Sequence, residues 1–148
     1  MARDIETTID INAPIAELWR ILTDLPRYGE WNPLVVRASG SLTVGKRLEI
    51  AVRLPGSKSM SFTPVLVALV PQKEIRWLGT FGIPVLFAGE HSFLLTSLSH
   101  ETTRFIHSER FTGIFPPLVG SQWYERVRQG FGSMNHALKE RAERKAAT

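Results

Sequence analysis

The sequence contains no cysteine, no long apolar run and no low-complexity segment. Without cysteine, disulfide bonds and thiolate chemistry are excluded, and a metal ion would need His, Asp or Glu ligands. No window approaches the run of about 18 apolar residues that a transmembrane helix needs, and the N-terminus does not resemble a signal peptide. The sequence therefore predicts a soluble protein that is not exported and acts in the cytoplasm.

The chain also lacks the sequence signatures of several large classes of site. It has no Gly-x-Ser-x-Gly segment, no phosphate-binding glycine loop, no His-Glu-x-x-His motif and no dinucleotide fingerprint. The net charge is +4, but much of the excess lies in the closing segment KERAERKAAT, where basic residues complement a helix dipole. We therefore expect no cofactor and no nucleic-acid partner.

The patterning that is present indicates one α+β domain. The chain has 148 residues, 43% of them apolar, which is enough to bury a core. Alternation over residues 5–11 predicts a strand, and apolar residues then recur at helical spacing from 15 to about 24. About six antiparallel strands follow, with Pro64 expected at a bulge or an edge because it cannot donate a ladder hydrogen bond. An amphipathic helix over 121 to about 144 completes a domain, spanning 1–148, in which a curved sheet grips the C-terminal helix.

One segment places ionisable side chains on a face that should be buried. The pattern of residues 89–111 predicts two strands joined by a short loop; the sequence there is GEHSFLLTSLSHETTRFIHSERF. All the phenylalanines of the segment fall at odd positions and its arginines at even positions, so the odd face is predicted to point inward. That face also carries His91, His107 and Glu109. The sequence thus predicts two imidazoles and a carboxylate within an aromatic and aliphatic lining.

The register of this hairpin follows from its loop and its charges. A three-residue loop at 99–101 would place Glu90 opposite Arg110 on the outer face, and this opposite-charge pair supports the alignment. On the inner face the same register places His91 opposite Glu109. A slip of two residues would pair His91 with His107 instead. His91, His107 and Glu109 therefore lie close together in either alignment.

The inner cluster has several interpretations. His91 and Glu109 would form an ion pair that only fixes the register, or anchor the polar end of an apolar ligand in a cavity. They would also serve as a general acid and base. Two histidines and a carboxylate match the composition of a non-haem iron site, but composition without geometry is weak support, and we expect no metal.

Three segments of the chain resemble bacterial members of the SRPBCC superfamily. They are IDINAPIAELWRILTDLPRYGEWNPLV near the start, GEHSFLLTSLSHETTRFIHSERFTG late in the chain, and FGSMNHALKERAE close to its end. This helix-grip group includes START lipid-transfer domains, birch-pollen-allergen-like proteins and polyketide cyclase/dehydrase-like proteins. The resemblance covers nearly the whole chain.

The resemblance implies a fold and a class of ligand. It implies a seven-stranded curved antiparallel sheet wrapped round the C-terminal helix, two short helices after the first strand, and a deep apolar cavity between sheet and helix. Members of the group bind or carry hydrophobic molecules, and a minority cyclise or dehydrate them. The segment FGIPVLF, residues 81–87, is more apolar than a surface loop needs to be, which indicates either a loop folded back on the core or the lip of an apolar entrance. The cavity wall implied by the resemblance consists of Trp77, His91, Phe93, His107, Glu109, Phe111, Val127, Phe131 and Met134.

Three hypotheses for the function follow. The first is a binding protein that encloses a small hydrophobic molecule, such as a lipid, polyketide or aromatic compound, and fixes its polar end with His91, His107 or Glu109. The second is a polyketide cyclase/dehydrase-type enzyme with His91 and Glu109 as general acid and base. The third is a protein-binding module, which predicts no enclosed cavity. No stable membrane insertion is expected, and a homodimer stays an open alternative.

Overall fold

The computed structural model describes residues 3–80 and 86–146. Most of the segment predicted as a loop folded back on the core or as the lip of the entrance, residues 81–85, lies outside the described residues. Within the described ranges the chain forms eight antiparallel strands, two α-helices and two 3₁₀ helices. The strands are β1 (Arg3–Ile11), β2 (Val35–Ser39), β3 (Glu49–Val52), β4 (Met60–Phe62), β5 (Val65–Val70), β6 (Glu74–Thr80), β7 (Ala88–Ser99) and β8 (Thr102–Thr112); the α-helices are α1 (Ile15–Thr23) and α2 (Ser121–Ala146); and the 3₁₀ helices are Leu25–Glu30 and Pro116–Leu118.

The predicted α+β class, with an antiparallel sheet and a long C-terminal helix, is confirmed. The short helix and the turn-rich segment expected after β1 are α1 and the 3₁₀ helix Leu25–Glu30. Helix α1 buries Leu18, Ile21 and Leu22, whose spacing of three and four residues places them on one face. Among the described residues, no helix has both the length and the apolar character that crossing a bilayer requires.

The prediction of one seven-stranded sheet is wrong. The strands form a five-stranded sheet in the order β1-β8-β7-β6-β5 and a three-stranded sheet in the order β2-β3-β4. Pro64 explains the division, because it separates β4 from β5 and has no N–H to continue a ladder. A single bridge between Arg47 and Val65 continues the β3–β4 register across this break. One bent strand is thus divided in two, and β5 lies at the sheet edge, as expected for a strand beside proline.

Helix α2 packs its apolar face against the inner face of the five-stranded sheet. Phe131 stacks on His107 of β8 at a centroid distance of 3.9 Å. Gly130 allows a close approach to the three-stranded side, since a Cβ there would lie 3.0 Å from Leu34 Cδ1. The helix continues through Gly130 and Gly132 without a break, so close packing accounts for the first of these glycines.

Asn32 fixes the entry of the chain into β2. Its buried side-chain Oδ1 accepts hydrogen bonds from the backbone N–H groups of Leu34 and Val35, each at 2.9 Å. These two apolar residues face the interior between α2 and the three-stranded sheet. Asn32 therefore holds part of the wall of the cavity described below.

Replacing Asn32 with alanine should lower the free energy of unfolding by about 1–3 kcal/mol, because two buried N–H groups lose their acceptor. Chemical denaturation of the purified variant measures this change. The control is Asn12→Ala at an exposed position, which we expect to stay within about 0.5 kcal/mol of the parent. Equal stability of the two variants would contradict the role of Asn32.

Candidate functional site

The β7–β8 hairpin has the predicted register. Glu90 lies opposite Arg110 and His91 lies opposite Glu109. The loop differs from the prediction, because Ser99 pairs with Thr102 and the register shifts between Ser97 and Ser99. The extra residue forms a bulge near the loop, and the turn itself has two residues instead of three. The bulge absorbs the difference, so the inner face keeps its alignment.

The outer-face charges face each other in register but bind other partners. Arg76 of β6 donates to Glu90 Oε1 at 2.7 Å, and Arg110 donates to Asp4 of β1 at 3.2 Å. Each charge thus reaches a flanking strand. The opposite charges of Glu90 and Arg110 predicted the correct register, although each of these two residues forms its ion pair with a residue of a flanking strand and not with the other.

The inner face carries a continuous chain of hydrogen bonds. Glu109 Oε1 lies 2.8 Å from His91 Nδ1, and His91 Nε2 lies 2.8 Å from His107 Nε2. His107 Nδ1 lies 2.9 Å from Asn135 Oδ1 on α2. Asn135 Nδ2 in turn donates to Thr7 Oγ1 at 2.8 Å, and the Thr7 hydroxyl donates to the backbone carbonyl of His107 at 3.1 Å. We call these five side chains the polar chain.

The far end of the polar chain fixes the tautomer of His107. The Thr7 hydroxyl uses its proton on a carbonyl, so it accepts from the amide of Asn135, and the amide oxygen therefore faces His107 Nδ1. His107 Nδ1 consequently carries a proton. Burial, and secondarily the neighbouring His91, hold the pKa of His107 well below its ordinary value, so its Nε2 has no proton and accepts.

This tautomer determines how His91 and Glu109 share a proton. Because His107 Nε2 accepts, the facing Nε2 of His91 must donate. The contact between His91 Nδ1 and Glu109 Oε1 then also contains a proton, since two lone pairs would repel each other at 2.8 Å. One proton therefore lies between imidazole and carboxyl, either as an imidazolium–carboxylate pair or as a neutral acid hydrogen-bonded to a neutral imidazole.

Aromatic side chains hold both imidazoles in place. His91 stacks on Trp77 with 18° between the ring planes, and His107 stacks on Phe131 with 6° between the planes. The ring of Phe93 forms T-shaped contacts with both imidazole rings, each at a centroid distance of 5.0 Å. The rings are thus restricted in orientation, which keeps the hydrogen-bond geometry of the polar chain.

Gly89 provides the space for the Glu109 carboxyl group. A Cβ at Gly89 would lie 2.2 Å from Glu109 Oε2, much closer than any real contact. Gly79 lies opposite Gly89 on β6, and a Cβ there would meet Pro64 at 3.8 Å, an ordinary distance. The two facing glycines therefore leave an open region beside the carboxyl group. Only Gly89 is required by the position of that carboxyl group.

A cavity of about 400 Å³ occupies this open region, between the two sheets and the first half of α2. Its inner polar groups are His91 and Glu109. Lys58 and Arg126 lie at its exposed edge. The remaining wall is mainly apolar and includes Leu34, Val35, Ile50, Val52, Leu54, Met60, Phe62, Pro64, Trp77, Phe87, Phe111, Val119, Trp123, Val127 and Phe131.

The structure brings six of the nine predicted wall residues to the cavity. Phe93, His107 and Met134 are buried but lie outside its wall. The cavity reaches only as far as the layer of His91 and Phe131, and these three residues pack beyond that layer. His107 is therefore separated from the cavity by His91 and Phe131 and cannot touch a ligand there. The six that line the cavity are Trp77, His91, Glu109, Phe111, Val127 and Phe131.

Sequence reasoning assigned no role to Asn135, Thr7 or Gly89. Asn135 and Thr7 each had a detectable signal. Asn135 lies four residues after Phe131 and three before Leu138, so it is a polar residue on the buried face of an amphipathic helix. Thr7 interrupts the isoleucines on the inner face of β1 in the same way. Two polar residues on two buried faces predict a hydrogen-bonded pair between them.

The described residues contain no group of three or more His, Cys, Asp or Glu side chains that could hold a metal ion. The two histidines and the carboxylate considered from the sequence do meet, but as a linear hydrogen-bonded chain. Both ring nitrogens of His91 are engaged, one by Glu109 and one by His107.

Solved structures of similar fold cover nearly the whole chain. The Zhui aromatase/cyclase from Streptomyces sp. R1128 aligns with a TM-score of 0.79 at 17% identity, over 98% of this chain and 96% of that one. A START superfamily protein from Mycobacterium smegmatis aligns with a TM-score of 0.76 at 18% identity, over 95% and 97%. Ara h 8.0201 aligns with a TM-score of 0.71 at 12% identity, over 96% and 98%. At these identities the likeness establishes the fold alone.

The arrangement of one long C-terminal helix against antiparallel strands, with α1 and a 3₁₀ helix after β1, is the helix-grip fold that these structures share. Together with the family match over residues 2–143, it confirms the resemblance to the SRPBCC superfamily. Residues 2–143 match the family described as polyketide cyclase/dehydrase and lipid transport, and the chain belongs to that family. A search of curated proteins gave no significant match.

The two facing glycines offer a matched pair of substitutions. Gly89→Ala should displace the Glu109 carboxyl group from His91 and lower the free energy of unfolding by about 1–3 kcal/mol, as when a buried polar group loses its partner. Gly79→Ala should be neutral or stabilising by up to about 1 kcal/mol, because it only restricts the unfolded chain. Chemical denaturation of both variants measures the difference. The same loss of stability in both would show that Gly89 does not serve Glu109.

Proposed function

We propose that this protein is a single ligand-binding domain that binds or carries a small hydrophobic molecule in the cavity between its sheets and α2. The cavity itself carries this proposal. Its volume of about 400 Å³ falls within the range of about 300–1,000 Å³ that is usual for small-molecule sites. Its wall is largely apolar, with His91 and Glu109 as convergent polar groups at the inner end, which is the composition that such sites share.

The wall also explains how a ligand would be bound and released. Apolar side chains from both sheets and from α2 surround the space, so an enclosed apolar molecule would be removed from water on several sides. The exposed edge near Met60 and Lys58 gives a route to solvent. A cavity lined by apolar side chains from both sheets and a helix is not expected for a module that binds proteins through its outer surface.

Filling the cavity tests this function directly. Gly79→Leu places a side chain into the cavity with no backbone clash at the Cβ position, and we expect it to weaken binding of the neutral apolar dye prodan at least about tenfold, equivalent to about 1.4 kcal/mol. Gly79→Ala fills less space and should have a smaller effect. Fluorescence titration measures both. Unchanged affinity in the leucine variant, with its fold preserved in circular dichroism, would contradict binding in this cavity.

A second candidate function is catalysis of a dehydration or cyclisation. The observation that favours it is the proton held between His91 and Glu109 at the wall of the cavity. Dehydration of a β-hydroxy ketone needs a base that removes the proton next to the carbonyl and an acid that protonates the departing hydroxyl group. Glu109 Oε2, the atom of this pair that faces the cavity, can remove that proton as a base and then give it to the departing hydroxyl group, so that water leaves, while His91 holds the other oxygen.

The two candidates respond differently to Glu109→Gln, which keeps the shape of the side chain. For an enzyme, the rate of dehydration of 4-hydroxy-4-phenylbutan-2-one to its enone should fall by about 10²–10⁴-fold. Prodan affinity should stay nearly unchanged in either case. The absorbance of the enone product follows the reaction. A wild-type rate equal to that of buffer would exclude this reaction and leave the binding function as the remaining candidate.

A further inference from the structure

The inner end of the cavity has a defined hydrogen-bonding character, set by the second oxygen of Glu109. Oε1 is engaged by His91 Nδ1. Within the described part of the chain, no donor forms a hydrogen bond with Oε2, and Glu109 belongs to the cavity wall. This oxygen lies in the open region that Gly89 leaves free. What Oε2 can do for a ligand therefore depends on where the protons of the polar chain lie.

Every arrangement of the shared proton leaves Oε2 as an acceptor. If the proton is on His91 Nδ1, Glu109 is a carboxylate and both of its oxygens accept. If the proton is on Glu109, it lies on Oε1 in the contact with His91, and Oε2 is then the carbonyl oxygen of the acid. The fixed tautomer of His107 excludes the remaining arrangement, with the proton on Oε2, because His91 Nδ1 and Oε1 would then oppose two lone pairs.

We infer that the ligand of this cavity is an apolar molecule that donates a hydrogen bond from its inner end, through a hydroxyl, phenol or N–H group, to Glu109 Oε2. This inference rests on the proposed binding function and adds the chemical class of the ligand. A molecule that only accepts, such as a ketone or an ether, would bring a second acceptor against Oε2. A hydrocarbon would bury this oxygen without any partner, which is costly for a polar group.

The rest of the wall supports a polar contact at this one position. His91 presents its ring face to Trp77 and uses both nitrogens inside the polar chain, so it has no donor left for a ligand. His107 lies beyond the wall. Trp77 and Phe111 line the same cavity and offer apolar surface for the body of the ligand. A flat, otherwise apolar ligand with one hydrogen-bond donor therefore matches the inner end of the cavity, because its donor binds Glu109 Oε2.

Three naphthalenes that differ in one substituent test the inference on the unmodified protein. We expect 2-naphthol to bind about tenfold more tightly than 2-methoxynaphthalene and 2-acetylnaphthalene, as one hydrogen bond to a charged or shared-proton acceptor provides. Because 2-methoxynaphthalene is more apolar than 2-naphthol, the hydrophobic effect alone would favour the opposite order of affinities. Isothermal titration calorimetry at neutral pH gives the three affinities.

Two variants identify the acceptor. In Glu109→Gln the amide nitrogen can donate to His91 Nδ1 and turn the amide oxygen toward the cavity, so the preference for 2-naphthol should remain. In the double variant His91→Phe, Glu109→Met neither the carboxyl oxygen nor the Nδ1 lone pair of His91 remains as an acceptor. 2-Naphthol and 2-methoxynaphthalene should then bind within about twofold of each other, the difference expected when no hydrogen bond distinguishes them. The glutamine variant keeps the test valid if the double variant does not fold.

The outcomes separate the inference from the proposed function. Equal affinity of the wild-type protein for 2-naphthol and 2-methoxynaphthalene would overturn the donor requirement and leave binding of apolar molecules standing. A preference that persists in the folded double variant His91→Phe, Glu109→Met would also overturn it. If none of the three naphthalenes binds, the proposed function fails and the inference fails with it.

Discussion

The structure depends on the requirement that buried polar groups be hydrogen-bonded. The polar chain from Glu109 through His91, His107 and Asn135 to Thr7 crosses three strands and the long helix, and each link is between 2.8 and 3.1 Å. Leaving any of these groups without its partner would be costly in a wall of aromatic side chains. The polar chain therefore fixes the hairpin register and the position of α2. It also fixes where the proton lies at Glu109, whose carboxyl group faces the cavity.

The cavity and the polar chain are parts of one arrangement. Gly89 gives Glu109 the space to reach His91, and the same missing side chain helps to leave the cavity open. Phe131 separates the two regions, because it stacks on His107 and also lines the cavity. Only the last group of the chain is thus presented to a ligand, while the groups behind it hold its orientation. A binding protein and an acid–base enzyme would both make use of such a carboxyl group.

The sequence predicted the hairpin well, because a period of two allows only one face to be buried and the charges of Glu90 and Arg110 selected the register. It failed on the sheet, because Pro64 was expected to form a bulge or lie near an edge, whereas it divides one strand into β4 and β5, which belong to different sheets. It also misplaced Phe93, His107 and Met134 on the cavity wall. The depth of a cavity depends on side-chain packing across several elements, and alternation along one strand does not reveal it. Asn135 and Thr7 were visible as polar residues on buried faces, but their contact joins positions at opposite ends of the chain.

Asn135 and Thr7 fix His107 with its proton on Nδ1, so that one proton lies between His91 and Glu109. Nitrogen-15 NMR of the histidine side chains at neutral pH tests it most directly, because the shifts of ring nitrogens report which of them carries a proton. We expect a protonated Nδ1 and an unprotonated Nε2 for His107, together with a protonated Nε2 for His91. A spectrum in which His107 is protonated on Nε2 and unprotonated on Nδ1 would contradict it.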